Sequence, residues 1–201
     1  MARHDPYLLR RKYASELTVS MKTHALRWAV IGTGKISSQF SKALAKVPGH
    51  ERFAVVSRDP ERGARFAKTH GFSRSLALED SVFQNPDIDV FYIGTPTDTH
   101  RELCLRVIQG NKPFLCEKPM GGSLQDFDAI EAALMDVPVF AMEGMWLKFN
   151  PLIRNIAGYI REGHLGQVIS GSMQVGYRDR QLSEALRPSN DALSVFGCYP
   201  V

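Results

Sequence analysis

The chain has 201 residues, 44% of them hydrophobic, enough for one comfortable domain and part of another, and a formal net charge of +4. Five basic residues (Arg3, Arg10, Arg11, Lys12 and Lys22) against Asp5 and Glu16 put +3 of that charge in residues 1–22, so the remainder carries +1 and no nucleic-acid face is expected. Cys104, Cys116 and Cys198 lack metal-site spacing and read as reduced thiols of a cytoplasmic protein without a metal centre, and no apolar run is long enough to cross a bilayer.

Residues 1–22 are polar and basic, and three readings of them compete: a flexible extension, an Arg-bearing transit peptide, or upstream sequence before a start at Met21. The last is preferred, because Met21 lies just ahead of the first core strand. That strand is the apolar run Leu26 to Ile31. It enters Gly32-Thr33-Gly34-Lys35-Ile36-Ser37, after which Ile36, Phe40, Ala43, Leu44 and Val47 recur at helical spacing through Val47.

Strand, glycine turn and helix in that order read as a dinucleotide-binding turn. Gly32 suits the tight exit from the strand, and Gly34 has no side chain to hold a pyrophosphate away from the backbone N–H groups of Thr33, Lys35 and Ile36. The following helix adds the positive end of its dipole. Ser37 stands at the third small position of G-x-G-x-x-G, where helix packs closely on strand.

A second strand is expected over Arg52 to Val56, ending at Ser57-Arg58, and then a helix over Pro60 to His70 with Asp59 as N-cap. An acidic residue at this strand end would favour NAD. Ser57 and Arg58 instead present a hydroxyl and a guanidinium suited to a 2′-phosphate, so NADP is favoured over NAD. The alternative for Arg58 is a solvated surface arginine.

A short helix over Leu78 to Gln84 and the turn Asn85-Pro86 precede an apolar strand, Ile88 to Thr95. Its end, Gly94-Thr95-Pro96-Thr97, is expected to face the nicotinamide half, because open α/β sheets bind ligands at strand carboxyl ends. Thr99 to Gln109 reads as a helix closed by Gly110, with His100 near its start as a local hydrogen-bonding or capping group. The strand from Pro113 to Met120 carries Glu117, Lys118 and Pro119. A charged pair on an otherwise buried sheet asks for a reason, and the functional one sets Lys118 beside the nicotinamide. Ser123 and Asp126 cap a helix over Leu124 to Met135, and Val137 to Met142 makes a further strand. The alternation predicts a doubly wound parallel sheet over roughly residues 25 to 144, in an α/β domain bounded at 23–144. Asn150 to Glu162 is expected as a helix and Gln167 to Tyr177 as a strand, the first part of a second α/β domain over 145–201.

The glycine turn, Glu117-Lys118-Pro119, Met142-Glu143-Gly144-Met145-Trp146 and Lys148-Phe149-Asn150-Pro151 together resemble the Gfo/Idh/MocA oxidoreductase family, nearest its dihydrodiol dehydrogenase, xylose dehydrogenase and glucose-fructose oxidoreductase group. The resemblance implies a Rossmann domain followed by an α/β domain with an open, mostly antiparallel sheet. It implies hydride transfer between NAD(P) and a secondary alcohol or carbonyl of a sugar or diol. By the same resemblance Lys118 is the lysine beside the nicotinamide, Tyr199 the general acid/base, and Trp146 the aromatic bordering the substrate. Tyrosine has a reference pKa of about 10, so deprotonation near neutrality needs roughly 4 kcal/mol of help, part of which a nearby ammonium supplies.

Two departures are noted. Val195 stands where the family carries an aspartate, and the chain stops at Val201, before most of the second sheet, so a homodimer through that sheet is expected only if the sheet is present. Residues 145–201 are therefore expected to be poorly ordered or to lean on the first domain. The alternative reading of the whole chain is a truncated or non-catalytic NADP-binding protein. Arg178 and Arg180 are candidates for substrate contact or plain surface charges.

Overall fold

The computed structural model describes residues 25–172. Its strands are β1 (Leu26–Ile31), β2 (His50–Ser57), β3 (Arg74–Ala77), β4 (Val90–Ile93), β5 (Phe114–Cys116) and β6 (Ala141–Glu143). The helices are α1 (Lys35–Leu44), α2 (Pro60–His70), α3 (Asp80–Phe83), α4 (His100–Gln109), α5 (Leu124–Asp136) and α6 (Pro151–Arg161), with 3-10 turns at Thr97–Thr99 and Trp146–Phe149.

The six strands form one sheet in the order β3-β2-β1-β4-β5-β6, and every neighbouring pair is parallel. The doubly wound sheet expected from the alternation is therefore present. Side chains alternate between the two faces of a strand, and this sheet is covered on both. Val30, Val55 and Tyr92 pack with Phe66, Ala67 and Phe72 on one side. Ala29, Ile31, Val56, Phe91 and Ile93 pack with Leu103, Cys104, Val107 and Ile130 on the other. At the opposite end from the glycine turn, Arg27 closes the sheet onto the loop before β4: its backbone N–H and Nε donate to Asp89 Oδ2 at 2.9 and 3.2 Å, and Nη1 to Asp87 Oδ1 at 2.8 Å.

Local signals set the ends of several helices. Asp59 accepts a hydrogen bond from the Arg62 N–H at 3.0 Å, Pro60 begins α2, and Gly71 ends it with φ of +67°. Ser123 accepts from the Asp126 N–H at 3.2 Å, and Asn150 from the Leu152 N–H at 2.9 Å.

Other expectations are corrected. α1 stops at Leu44 rather than Val47, since Pro48 biases the residue before it away from helix. Its buried face is Ser37, Ser41 and Leu44, whereas Ile36 and Val47 are 37% and 46% exposed. The edge strand β3 escaped the sequence reading altogether. The expected strands at Ile88 to Thr95 and Pro113 to Met120 shrink to β4 and β5, and the one at Val137 to Met142 shortens and moves on by one residue to β6, because only those residues lie opposite a partner in register. The helix expected from Leu78 begins at Asp80. Residues 167–172 form no strand and lie exposed, with no partner strand beside them among the described residues; the rest of that expected strand, residues 1–22, and Tyr199 with the other calls beyond residue 172 lie outside the described residues. Among the described residues no helix is long and apolar enough to cross a membrane.

Candidate functional site

Strand order reverses between β1 and β4, so their carboxyl ends diverge into a crevice, the place where open α/β sheets take ligands. The turn after β1 and the loop after β4 meet there at van der Waals limits. Gly32 has φ of +102°, and a Cβ on it would stand 2.8 Å from the Gly94 carbonyl oxygen. A Cβ on Gly94 would fall 2.4 Å from Ser37 Oγ and 2.7 Å from the Tyr92 ring. Ser37, fully buried, donates its hydroxyl hydrogen to the Gly94 carbonyl at 3.1 Å. The third small position thus both packs and bonds, a partner the sequence could not show.

Gly34 is different: nothing lies within 4 Å of where its Cβ would be. It is the N-cap of α1, with no side-chain cap and no acidic residue in the first turn. The N–H groups at that helix end face an open cradle, which fits the pyrophosphate of a dinucleotide. Lys35 and Ile36 are exposed on the same turn and Thr33 is half-buried.

At the end of β2, Ser57 is buried and its Oγ accepts the Asp59 N–H at 3.2 Å. Asp59 spends a carboxylate oxygen on the Arg62 N–H, while Arg58 is exposed. A cleft of about 240 Å³ lies alongside, lined by Thr33, Arg62, Arg65, Phe66, Thr69 and His70. Arg62 and Arg65 went unremarked in the sequence, although their three-residue spacing on a helix gives them one face. Burial first, then the charges of Lys42 and Arg52, hold the His70 imidazole below its usual pKa.

On the other side of the crevice, β5 ends in Glu117, Lys118 and Pro119, the Lys118–Pro119 peptide being cis. Glu117 Oε1 accepts the Tyr92 hydroxyl hydrogen at 2.8 Å. Burial, with the Glu117 charge behind it, pushes the Tyr92 phenol far above its ordinary pKa, so it stays protonated and keeps donating to Glu117. Glu143 Oε1 accepts the Met120 N–H at 2.8 Å. His100 is buried with Nδ1 2.7 Å from Pro119 O and Nε2 2.9 Å from Thr95 O. The Cys116 thiol, hydrogen-bonded to the Cys104 thiol and buried, is pushed well above the usual thiol range, which keeps it from acting as a nucleophile. Thr95 is half-buried and Pro96 exposed on the β4 loop. The sheet thus gathers the turn residues 32–37, Thr95 and Pro96, and Glu117 and Lys118 at the carboxyl ends of three adjacent strands. Trp146 follows β6 on a 3-10 turn and is 54% exposed. Among the described residues no group of His, Cys, Asp and Glu could hold a metal ion.

The chain is 30% identical over 181 residues to trans-1,2-dihydrobenzene-1,2-diol dehydrogenase of Xenopus tropicalis, covering 88% of this chain and 55% of that protein. It is 33% identical over 146 residues to the enzyme of that name from Bos taurus, covering 72% and 44%. Among solved structures, levoglucosan dehydrogenase in complex with NADH and levoglucosan superposes with a TM-score of 0.69 at 27% identity, over 72% of this chain and 41% of that one. A protein described as a myo-inositol dehydrogenase from Sinorhizobium meliloti gives 0.66 at 27% identity, over 72% and 43%. The chain spans about half the length of the curated relatives it matches. The sequence pattern of the oxidoreductase family with an NAD-binding Rossmann fold matches residues 26–144, the whole of the sheet and its crevice, and the chain belongs to that family, Gfo/Idh/MocA.

Proposed function

We propose that this chain is the cofactor-binding part of an NADP-dependent oxidoreductase that moves a hydride between the nicotinamide and a secondary alcohol or carbonyl of a sugar or diol. The observation that carries the reading is the open cradle at Gly34 before an uncapped helix, set beside the Gly32, Ser37 and Gly94 contact at the switch point. When bound, the dinucleotide supplies or accepts the hydride. Gly32 shapes the turn, its own N–H donating to Val56 O at 3.1 Å. Thr33, Gly34, Lys35 and Ile36 hold the pyrophosphate through backbone N–H groups, and Thr95, Pro96, Glu117 and Lys118 border the nicotinamide. Lys118 brings an ammonium to the substrate hydroxyl and favours the ionised form of Tyr199, which takes or returns the hydroxyl proton. Trp146 borders the substrate.

NADP is preferred over NAD because the carboxylate next to the β2 end, Asp59, spends an oxygen on its own helix, leaving Arg58, exposed beside Ser57, for a 2′-phosphate. The buried thiols Cys104 and Cys116 suit a reducing, cytoplasmic setting. We assign residues 145–201 to the first part of a second domain for substrate binding, with a homodimer proposed only where the rest of that domain's sheet is present; no nucleic-acid or membrane partner is proposed.

The test is titration of the chain with NADPH and with NADH, following nicotinamide fluorescence, for the wild type, Arg58→Ala and Lys118→Ala. The expected result is tighter binding of NADPH, with Arg58→Ala erasing roughly ten-fold of that preference. Equal affinity for both cofactors in wild type and Arg58→Ala overturns the NADP assignment. Binding without oxidation of any diol or sugar by a longer chain favours the non-catalytic reading.

A further inference from the structure

We propose that His100 is a positioning residue for the nicotinamide end of the crevice, tying the loop after β4 to the loop that carries Lys118; the inference rests on the dinucleotide reading above. The β4–β5 ladder has its last registered pair at Ile93 and Cys116, and the Glu117 N–H donates back to Ile93 O at 2.9 Å. Two residues further on, Pro119 has no N–H with which to continue. The loops then part to form the crevice.

His100 stands between them where the ladder stops. It is the first residue of α4 and 1% exposed, with Nε2 2.9 Å from Thr95 O on one loop and Nδ1 2.7 Å from Pro119 O on the other. With one N–H the ring donates to one carbonyl, and with two it donates to both. In either state both nitrogens are aimed at backbone, which separates His100 from an acid/base group that must face a substrate. Glu143 holds the same loop from the β6 side through the Met120 N–H. The residues immediately after Lys118 are thus pinned from both sides without filling the crevice. Such restraint has value because a misplacement of about 1 Å at a reacting group costs on the order of 100-fold in rate.

The full chain is tested with His100→Phe, which keeps a ring and loses both nitrogens, and His100→Gln, which keeps one donor group. NADPH and NADH are titrated by nicotinamide fluorescence, and the adenosine fragments 2′,5′-ADP and ADP by calorimetry. The expected result is dinucleotide affinity weakened roughly ten-fold in His100→Phe, less in His100→Gln, with the fragments within about two-fold of wild type. Parallel weakening of dinucleotide and fragment, or no weakening of either, overturns the proposal. Amide hydrogen exchange of the cofactor-free chains supplies a second reading. Faster exchange at Glu117, Lys118 and Met120 in His100→Gln, with the β1 and β2 amides unchanged, supports the tie, and unchanged exchange at those three sites overturns it. Wild type that binds no dinucleotide defeats the functional reading alone, and the exchange result still decides the role of His100.

Discussion

Residues 26–143 and residues 145–172 have similar proportions of apolar residues and use them to opposite effect. In the first stretch Val30, Phe91, Ile93 and Phe114 are fully or almost fully buried, enclosed by helices on both faces of the sheet. In the second, α6 forms with a cap and an amphipathic pattern, yet Leu152, Ile156, Tyr159 and Ile160 are between 42% and 66% exposed. The 3-10 turn before it exposes Trp146 and Phe149 as well, at 54% and 58%. Local signals suffice to start a helix, but stability comes from the face it buries. The first stretch is a finished core, and α6 is an element without a comparable one.

Mutations that delete apolar atoms should separate the two most sharply. Phe91→Ala is expected to cost about 3–5 kcal/mol in urea unfolding, whereas Leu152→Ala in α6 should stay within about 0.5 kcal/mol of wild type. Equal costs would erase the distinction. Gly32→Ala tests the core where it becomes the site: a positive φ and the Gly94 carbonyl in the path of the new Cβ predict a loss of about 2–3 kcal/mol, read in the same assay. Arg27→Ala takes the guanidinium from Asp89, whose side chain is only 1% exposed, and should lower stability by about 2 kcal/mol.

Caps offer a finer cut. Asp59→Ala is expected to lower global stability by about 1 kcal/mol, because α2 is part of the core. Asn150→Ala should reduce helicity by circular dichroism while leaving the unfolding midpoint in place, because α6 contributes little to it. The smallest expected effect is in pH. The native His70 pKa lies below the unfolded value, so the unfolded chain binds more protons as pH falls through about 6.5. Stability should therefore decline with falling pH across that window and level off once the native group also protonates. His70→Gln should flatten that part of the slope in melts taken from pH 7.5 to 5.

Much of the finished core was legible because its signals are local. The Asp59-Pro60 start set the first residue of α2, whose expected span, Pro60 to His70, is the observed one, and the apolar run before Gly32 set β1. The edge strand β3 was not legible: Arg74, Ser75, Leu76 and Ala77 have no apolar alternation, and they are a strand only because β2 offers a ladder. Ser37 was placed against the strand by the glycine pattern, but the rest of the buried face of α1 was misread because Ser41 looks polar until a close-packed neighbour is supplied. The glycine turn and the Glu117-Lys118 pair could be placed at strand ends from the sequence. The Tyr92–Glu117 hydrogen bond and both contacts of His100 join residues 19 or more apart or lie across a loop, and sequence spacing carries no sign of them.

The register of β1 bears on the order in which the protein is made. Trp28 to Ile31 pair with residues of β2 on one side and with Val90 to Ile93 on the other. During synthesis β1, α1 and β2 can associate early, but the wall supplied by Gly94 does not exist until the chain has emerged beyond β4, and contacts of such long sequence separation are slow to form. Dinucleotide can therefore act as a late-stage ligand only: it should not speed the first collapse of a refolding chain, and it should trap the last species, in which the second half of the sheet has docked onto β1.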